Sequence, residues 1–404
     1  MQLCTWLPFR GKGFLLFCAM LKRIFFLLLA FCSLIHADAQ TDTSHLRISL
    51  ITCWPGDEEI WEVFGHTAIR VIDSTEKTDL VYNYGTFEYG PGFELQFMRG
   101  KLLYSLSVAE FEGFKHEYVI AKRSVEEQVL LIDGKQKAAF YSFLNWNAEP
   151  AHKYYKYDFF FDNCATRIRD AFPKSLGNGF KFGPAIQVGS SISFRDIINQ
   201  YFYRDHWTRV GVNILLGSKI DKPMTNSDIM FLPDYLRDGV GGATLNGKNI
   251  ATKSSLLLAG SDKQSAGVNA PFILTSVIAL LTIAGLTVKR LRLLGRIMST
   301  ILLFVTGLLG CLILVMWFGT DHQACRDNFN ILWCLPFNII IAFFNPKGKG
   351  KYALIAMILI FVSIFLHTFK IQGLTLFELA PLFLALLFIY GSAYRKGKMQ
   401  TTYP

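Results

Sequence analysis

Cys164, in the stretch "YDFFFDNCATRIRD" (157–170), sits where a sequence can make a thiol reactive. Asp162 and Asn163 are both helix-capping residue types, and the residues after them read as a helix over 163–172 that Pro173 stops. A cysteine in a first helical turn meets unpaired N–H groups and the positive end of the macrodipole, which favour a thiolate. The same N–H groups can hold an oxyanion, so the chemistry implied is acyl transfer through a cysteine nucleophile. Asp162 opposes the thiolate unless the cap uses its carboxylate; Arg167 and Arg169 compensate.

A thiolate nucleophile needs a base, and eight histidines are available. His36 and His367 fall in apolar segments, while His45, His116 and His152 sit in polar or helical contexts. His66 differs, because it opens the strand-like run "HTAIRVI" directly after Gly65, where a side chain can approach a neighbouring element. The competing expectation is a disulfide. Of the eight cysteines, only Cys53, Cys164 and Cys325 lie outside the N-terminal and later apolar segments, and a Cys53–Cys164 bridge suits an oxidising compartment.

These residues need elements to position them. Runs at 46–52, 66–72, 79–87, 102–108 and 123–133 carry β-branched and aromatic residues in partial alternation and read as strands. Helical patterns cover 109–121 and 134–147, so the soluble part is α+β rather than a repeating βαβ. The Gly/Asn/Ser-rich stretch 239–255 reads as a loop or hairpin of the same domain, and 205–221 as core packing or a segment along a membrane surface.

Residues 40–269 carry 25 Lys and Arg against 27 Asp and Glu, so the chain's net charge of +10 lies elsewhere and no nucleic-acid partner is indicated. Residues 20–40 have the basic, apolar and Ala-Asp-Ala parts of a secretory signal, which assigns 1–39 to a signal region with Met20 as a second candidate start. From 270 to 404 five apolar stretches follow, near 271–288, 297–318, 329–344, 352–369 and 373–391, an all-α domain of five spans. Lys and Arg gather in 289–296, 345–351 and 394–400 and are sparse in 319–328. That asymmetry puts the C-terminus in the cytoplasm and 40–269 outside it. Glu378 is an intramembrane carboxylate, hence a functional candidate. No metal-ligand spacing, phosphate loop or dinucleotide fingerprint is present, and no cofactor is expected.

"FGHTAIRV", then "VYNYGTF", then "YDFFFDNCATRIRD" about a hundred residues on resembles the circularly permuted papain-like enzymes of the NlpC/P60 superfamily. The resemblance implies Cys164 as nucleophile, His66 as general base and then acid, and a third polar group on the strand after the histidine. Asn83 fits that place best, with Tyr84 and Tyr82 as alternates. With "PGDEEIWEVFGHTAIRV", "MFLPDYLRD" and the following spans, nearly the whole mature chain further resembles the Lnb-type lipoprotein N-acyltransferases, the membrane half mainly in layout. That implies a phospholipid acyl donor and diacylglyceryl-modified lipoproteins as acceptor, at the inner membrane with the catalytic domain in the periplasm. Asn163 and Asp162 would support the oxyanion at the helix start, and Tyr84, Arg167, His322 and Arg326 are candidates for substrate contact. Two rival readings stand beside this one: a membrane-anchored cell-wall peptidase or amidase using the same Cys-His pair, and a non-catalytic envelope receptor or assembly protein with Cys164 in a disulfide.

Overall fold

The computed structural model describes residues 45–402 apart from 57–61, 88–89, 102, 188, 203–204, 262–266 and 345–347; the expected signal segment lies outside the described residues. Five long strands open the first domain: β1 (Leu46–Cys53), β2 (His66–Asp73), β3 (Thr78–Thr86), β4 (Leu103–Glu110) and β5 (Val125–Val129). β6 (Tyr154–Lys156) and a final strand, Ser255–Leu258, complete one antiparallel sheet. Its order runs from Ser255–Leu258 through β5, β1, β2, β3 and β4 to β6. The strand at 255–258 pairs with β5 just past the 239–255 stretch, where Thr244–Leu245 and Lys248–Asn249 form a small hairpin.

Alternation along the strands divides the sheet's two faces. Ile48, Leu50, Ile69, Val71, Tyr82 and Tyr84 pack into the larger core; Ile51, Cys53, Ala68, Val81 and Val125 pack on the other side. In chain order the first helices are α1 (Phe93–Met98), α2 (Phe111–Ile120), α3 (Gly134–Ala148) and α4 (Cys164–Leu176). α2 covers the second face through Phe111, Phe114 and Tyr118, whereas α3 and α4 bury Phe140, Leu144, Ala165, Ile168 and Phe172 against the first. The helix expected to stop at Pro173 runs on to Leu176: the proline falls in the last turn, where its missing N–H forfeits a single bond, and Gly177 closes the end with φ +76°.

Beyond α4, α5 (Phe194–Tyr201) and α6 (His206–Leu215) lead towards the membrane part. The stretch weighed as surface-lying or core is a joint. Val210 of α6 packs in the core of the membrane domain, and Arg209 pairs with the buried Glu378 carboxylate, which also accepts from Asn269 Nδ2 at 2.9 Å. Glu378 therefore has a structural partner from the soluble domain. A second joint is Arg195, buried at 2% exposure: it donates to Asp221 and to the carbonyls of Leu216 and Gly217, and Asp221 accepts the Gly373 N–H at 2.9 Å.

Among the described residues, four helices are long and apolar enough to cross a bilayer: Ala270–Thr287, Lys289–Phe318, Lys349–Thr368 and Leu376–Gly397. The expected span at 329–344 is not one continuous helix. It forms a 3-10 turn, Phe329–Leu332, and a six-residue helix, Asn338–Phe343. Pro336 cannot donate to a continuous ladder, and the buried Asn338 amide bonds outward instead, to Thr306 at 3.0 Å and from Tyr352 at 2.7 Å and Tyr390 at 2.8 Å. The broken segment still returns along the 292–318 helix, with Cys334 against Gly310, Ile339 against Gly307 and Phe343 on Phe304.

Candidate active site

α4 begins at Cys164 because Asn163 caps it. Asn163 Oδ1 accepts the Thr166 N–H at 2.9 Å while Thr166 Oγ1 accepts the Asn163 N–H at 2.7 Å, a reciprocal capping box. The Asn163 amide is itself fixed by donating to the carbonyls of Phe159 and Phe231 at 2.8 and 2.9 Å. Thr166 and Arg167 N–H groups are spent on Asn163, which leaves those of Cys164 and Ala165 for the site. Asp162 is not the cap. Its carboxylate is held by Arg167 in a two-pronged ion pair at 2.5 and 2.6 Å, so the negative charge beside the thiol is neutralised. Arg167 also lies over the Tyr155 ring, 4.1 Å from its centroid, and Arg169 turns to Asp170 and the Ser227 carbonyl.

His66 is the first residue of β2 and shares a face with Ala68, towards α2; Asn83 of β3 shares that face with Val81. Ile69 pairs with Tyr82, so Asn83 stands opposite Ala68 and diagonal to His66. The diagonal closes at 2.7 Å between His66 Nε2 and Asn83 Oδ1. An amide oxygen accepts only, so the proton sits on Nε2 and Nδ1 is left with the lone pair that takes a thiol proton.

Cys164 and His66 come from opposite faces of the sheet and meet where β3 loses register between Tyr84 and Thr86. Gly85 occupies that break with φ +96°, and a Cβ there would lie 3.8 Å from both Cys164 Cβ and His66 Cε1 and 4.0 Å from Tyr155 Oη. The Tyr155 hydroxyl is buried and has no hydrogen-bond partner among the described residues. Burial, and next the nearby Cys164 charge, raise its pKa far above the ordinary phenol value, so it remains a neutral donor.

Electrostatics favour the ion pair. Burial alone would push the Cys164 thiol up, but the His66 imidazolium, its hydrogen bond and the N–H groups of Thr67 and Ala165 outweigh it and hold the thiol below its ordinary value. Burial would likewise lower His66; the Cys164 charge and hydrogen bonds to Cys164 and Asn83 reverse that and raise it. The disulfide expectation fails here, since Cys53 and Cys164 are both free. Cys53 faces His66 across β1 and β2, buried against Tyr118, and its burial drives that thiol up to about 12.

A cleft of about 520 Å³ opens beside the site, lined by Asn83, Gly85, Thr86 and Phe87 of the β3 end, by β4, and by Phe114 and Glu117 of α2. Cys164, His66 and Asn83 are thus brought together, with Asn163, Asp162 and Arg167 supporting the helix start. Tyr84 is buried at 2% exposure in the core beneath, edge-on to Tyr155. His322 bonds the Phe97 carbonyl at 2.9 Å, and Arg326 is exposed in the same loop. Neither reaches Cys164. Gly85 and Tyr155 were not singled out from sequence; the glycine within the strand-like "NYGTF" is a signal of a break that could have found the first.

Fold and site together define a membrane-tethered protein with a half-buried cysteine–histidine–asparagine constellation at the end of an antiparallel sheet. The sequence profile of the Lnb N-terminal periplasmic domain matches residues 35–200, and that of the Lnb transmembrane domain matches residues 263–400. The chain belongs to the Lnb family, whose domains mark a lipoprotein-processing protein of the inner membrane with its N-terminal domain in the periplasm. No curated protein and no solved structure shows a significant match to it.

Proposed function

We propose that this protein is a lipoprotein N-acyltransferase that carries the acyl chain on Cys164. The observation that supports it most is the pairing of a thiol held low with an imidazole held high, His66, whose far nitrogen is fixed by Asn83. The Cys164 thiolate attacks an ester carbonyl of a membrane phospholipid, and the C–O bond breaks as the leaving alcohol takes the proton from the His66 imidazolium. The N–H groups of Cys164 and Ala165, with the Tyr155 hydroxyl, are the donors available to the tetrahedral oxyanion. The α-amine of a diacylglyceryl-modified N-terminal cysteine then attacks the thioester. His66 takes the amine's proton, the C–S bond breaks, and an amide and the thiolate–imidazolium pair result.

Attachment to the bilayer favours lipid substrates over soluble ones. Ala324 and Cys325, from the loop after the 292–318 helix, are buried in the same core as Phe160 and Ile168 around α4. Loop charges put the C-terminus on the cytoplasmic side in this reading, and the cysteine site fits a permuted papain-like arrangement. The test is mass spectrometry of lipoprotein N-termini from cells lacking N-acylation and supplied with this protein or its Cys164→Ser form. An added acyl chain with the first and none with the second is expected. Unmodified N-termini with well-expressed protein would overturn the reading in favour of peptide-bond chemistry, assayed next on peptidoglycan fragments.

A further inference from the structure

α1, a helix the sequence does not announce, exposes a cluster of large apolar side chains. Leu95, Phe97 and Met98 are 55%, 52% and 56% exposed, and Leu103, just after the helix, is 61% exposed. A soluble domain rarely gathers four such side chains in nine residues without a partner. The loop that follows the 292–318 helix is bonded to the end of α1: Asp321 N–H donates to the Arg99 carbonyl at 2.9 Å, and His322 Nε2 donates to the Phe97 carbonyl at 2.9 Å. Gly100, with φ +66°, packs directly on the His322 backbone, and Lys156 of β6 pairs with Asp321 at 2.6 Å. Phe318, the last residue of that helix, is itself 74% exposed. α1 is therefore fixed at the end of a spanning helix, at the level where hydrocarbon gives way to water.

The same helix is joined to the site by rings. Phe97 stacks on Phe93 with centroids 6.2 Å apart, and Phe93 on Phe87 at 5.1 Å. Phe87 lines the cleft together with Gly85 and Asn83. An apolar path of rings thus runs from the exposed edge of α1 to the wall of the cleft beside the Cys164–His66 site.

We propose that α1 and Leu103 are a lipid-docking surface seated in the outer leaflet, and that the Phe97–Phe93–Phe87 series guides a phospholipid acyl chain into the cleft beside Cys164. The docking half stands on the placement of α1 alone; the guiding half rests on the acyl-transfer reading of the site. Apolar side chains gain by leaving water for the leaflet, and the ring path offers a chain continuous contact while it leaves its neighbours.

The experiment uses the full chain in nanodiscs of phosphatidylethanolamine and phosphatidylglycerol, with a phosphatidylethanolamine carrying a diazirine near the end of one acyl chain. After irradiation, peptide mass spectrometry is expected to find adducts on residues 95–103 and at Phe87. Adducts confined to the spanning helices would overturn the proposal. In parallel, a Leu95→Ser, Phe97→Ser, Met98→Ser variant is expected to lose acylation of Cys164 by bilayer phospholipid about tenfold, the loss of roughly one well-buried apolar contact. Its acylation by a water-soluble ester, 4-nitrophenyl butyrate, should stay at the parent rate. Equal losses with both donors would show that α1 only supports the fold, and would overturn it. Adducts on α1 without any acyl-Cys164 in the parent protein would instead retain the docking surface and reject the acyl-transfer reading.

Discussion

His66 Nε2 and Asn83 Oδ1 are 2.7 Å apart, and this diagonal across β2 and β3 decides which ring nitrogen serves the thiol. Asn83→Ala removes the acceptor and lets the imidazole turn or change tautomer. Loss of a hydrogen bond to a charged ring is worth about 1.5–3 kcal/mol, so the acylation rate of Cys164 should fall roughly 10- to 100-fold. Asn83→Gln, whose longer amide changes the diagonal's length, should not restore it. Stopped-flow acylation with a chromogenic ester would measure both. An unchanged rate in Asn83→Ala would remove Asn83 from the site.

Three thiols of the described soluble and loop regions differ in environment, and that difference predicts a labelling pattern. Burial pushes Cys53 and Cys325 each up to about 12, while Cys164 is held below the ordinary thiol value. A lowered thiol pKa means the thiolate persists as pH falls, until His66 and Cys164 share one proton too many. Of these three, iodoacetamide should therefore modify only Cys164, with a rate-versus-pH midpoint below the usual thiol range of about 8.5. In His66→Ala the attraction is gone and burial dominates, so the midpoint should move upward. Peptide mapping across pH 5 to 10, on the order of one-unit steps, would resolve the change. A midpoint that ignores His66→Ala would mean the two residues are not coupled.

Much of this arrangement was legible in the sequence because it is local. The five long strands, α2, α3 and α4 announce themselves by period and by capping residues, and Asn163 before Cys164 predicts a helix-start thiol. What was not legible depends on register and on contacts distant in the chain. Nothing local tells that Asn83 stands diagonal to His66, since a shift of one residue would turn Asn83 to the other face. Tyr155 reaches the site only because β6 pairs with the far edge of β4. The 329–344 stretch is apolar enough to read as one helix, but its Pro336 and the three polar partners of Asn338 break it. α1 was missed because six residues are too few for helical periodicity to show.

The Tyr155 hydroxyl separates stability from chemistry. It is buried without a partner among the described residues, a state that costs about 1–3 kcal/mol, and it faces the point shared by Cys164 and His66. Tyr155→Phe keeps the ring under Arg167 and deletes only the orphaned group. The variant should melt at or above the parent temperature, yet acylate Cys164 about tenfold more slowly if the phenol donates to the oxyanion. Thermal unfolding and ester acylation on the same preparation test both parts. A variant that is stabler and equally fast would leave the hydroxyl without a role in the reaction.

Arg209 and Glu378 test whether the two domains must be held together for the lipid reaction. Glu378 is 3% exposed and paired with Arg209 from α6, so Arg209→Ala strands a carboxylate in an apolar setting with only Asn269 to bond it. Removing one partner of a buried pair costs about 3–5 kcal/mol, whereas replacing both with neutral groups of similar volume is often tolerated. Arg209→Ala should lower the melting temperature in detergent, and Arg209→Met with Glu378→Gln should recover most of it. The double variant removes the charge clamp but leaves Arg195–Asp221 and the bond from Gly373 in place. If the clamp sets the height of the Cys164 site above the leaflet, the double variant should acylate normally with a soluble ester and poorly with bilayer phospholipid. Equal rates with both donors would mean that the Arg195 joint and the 319–328 loop suffice to position the site.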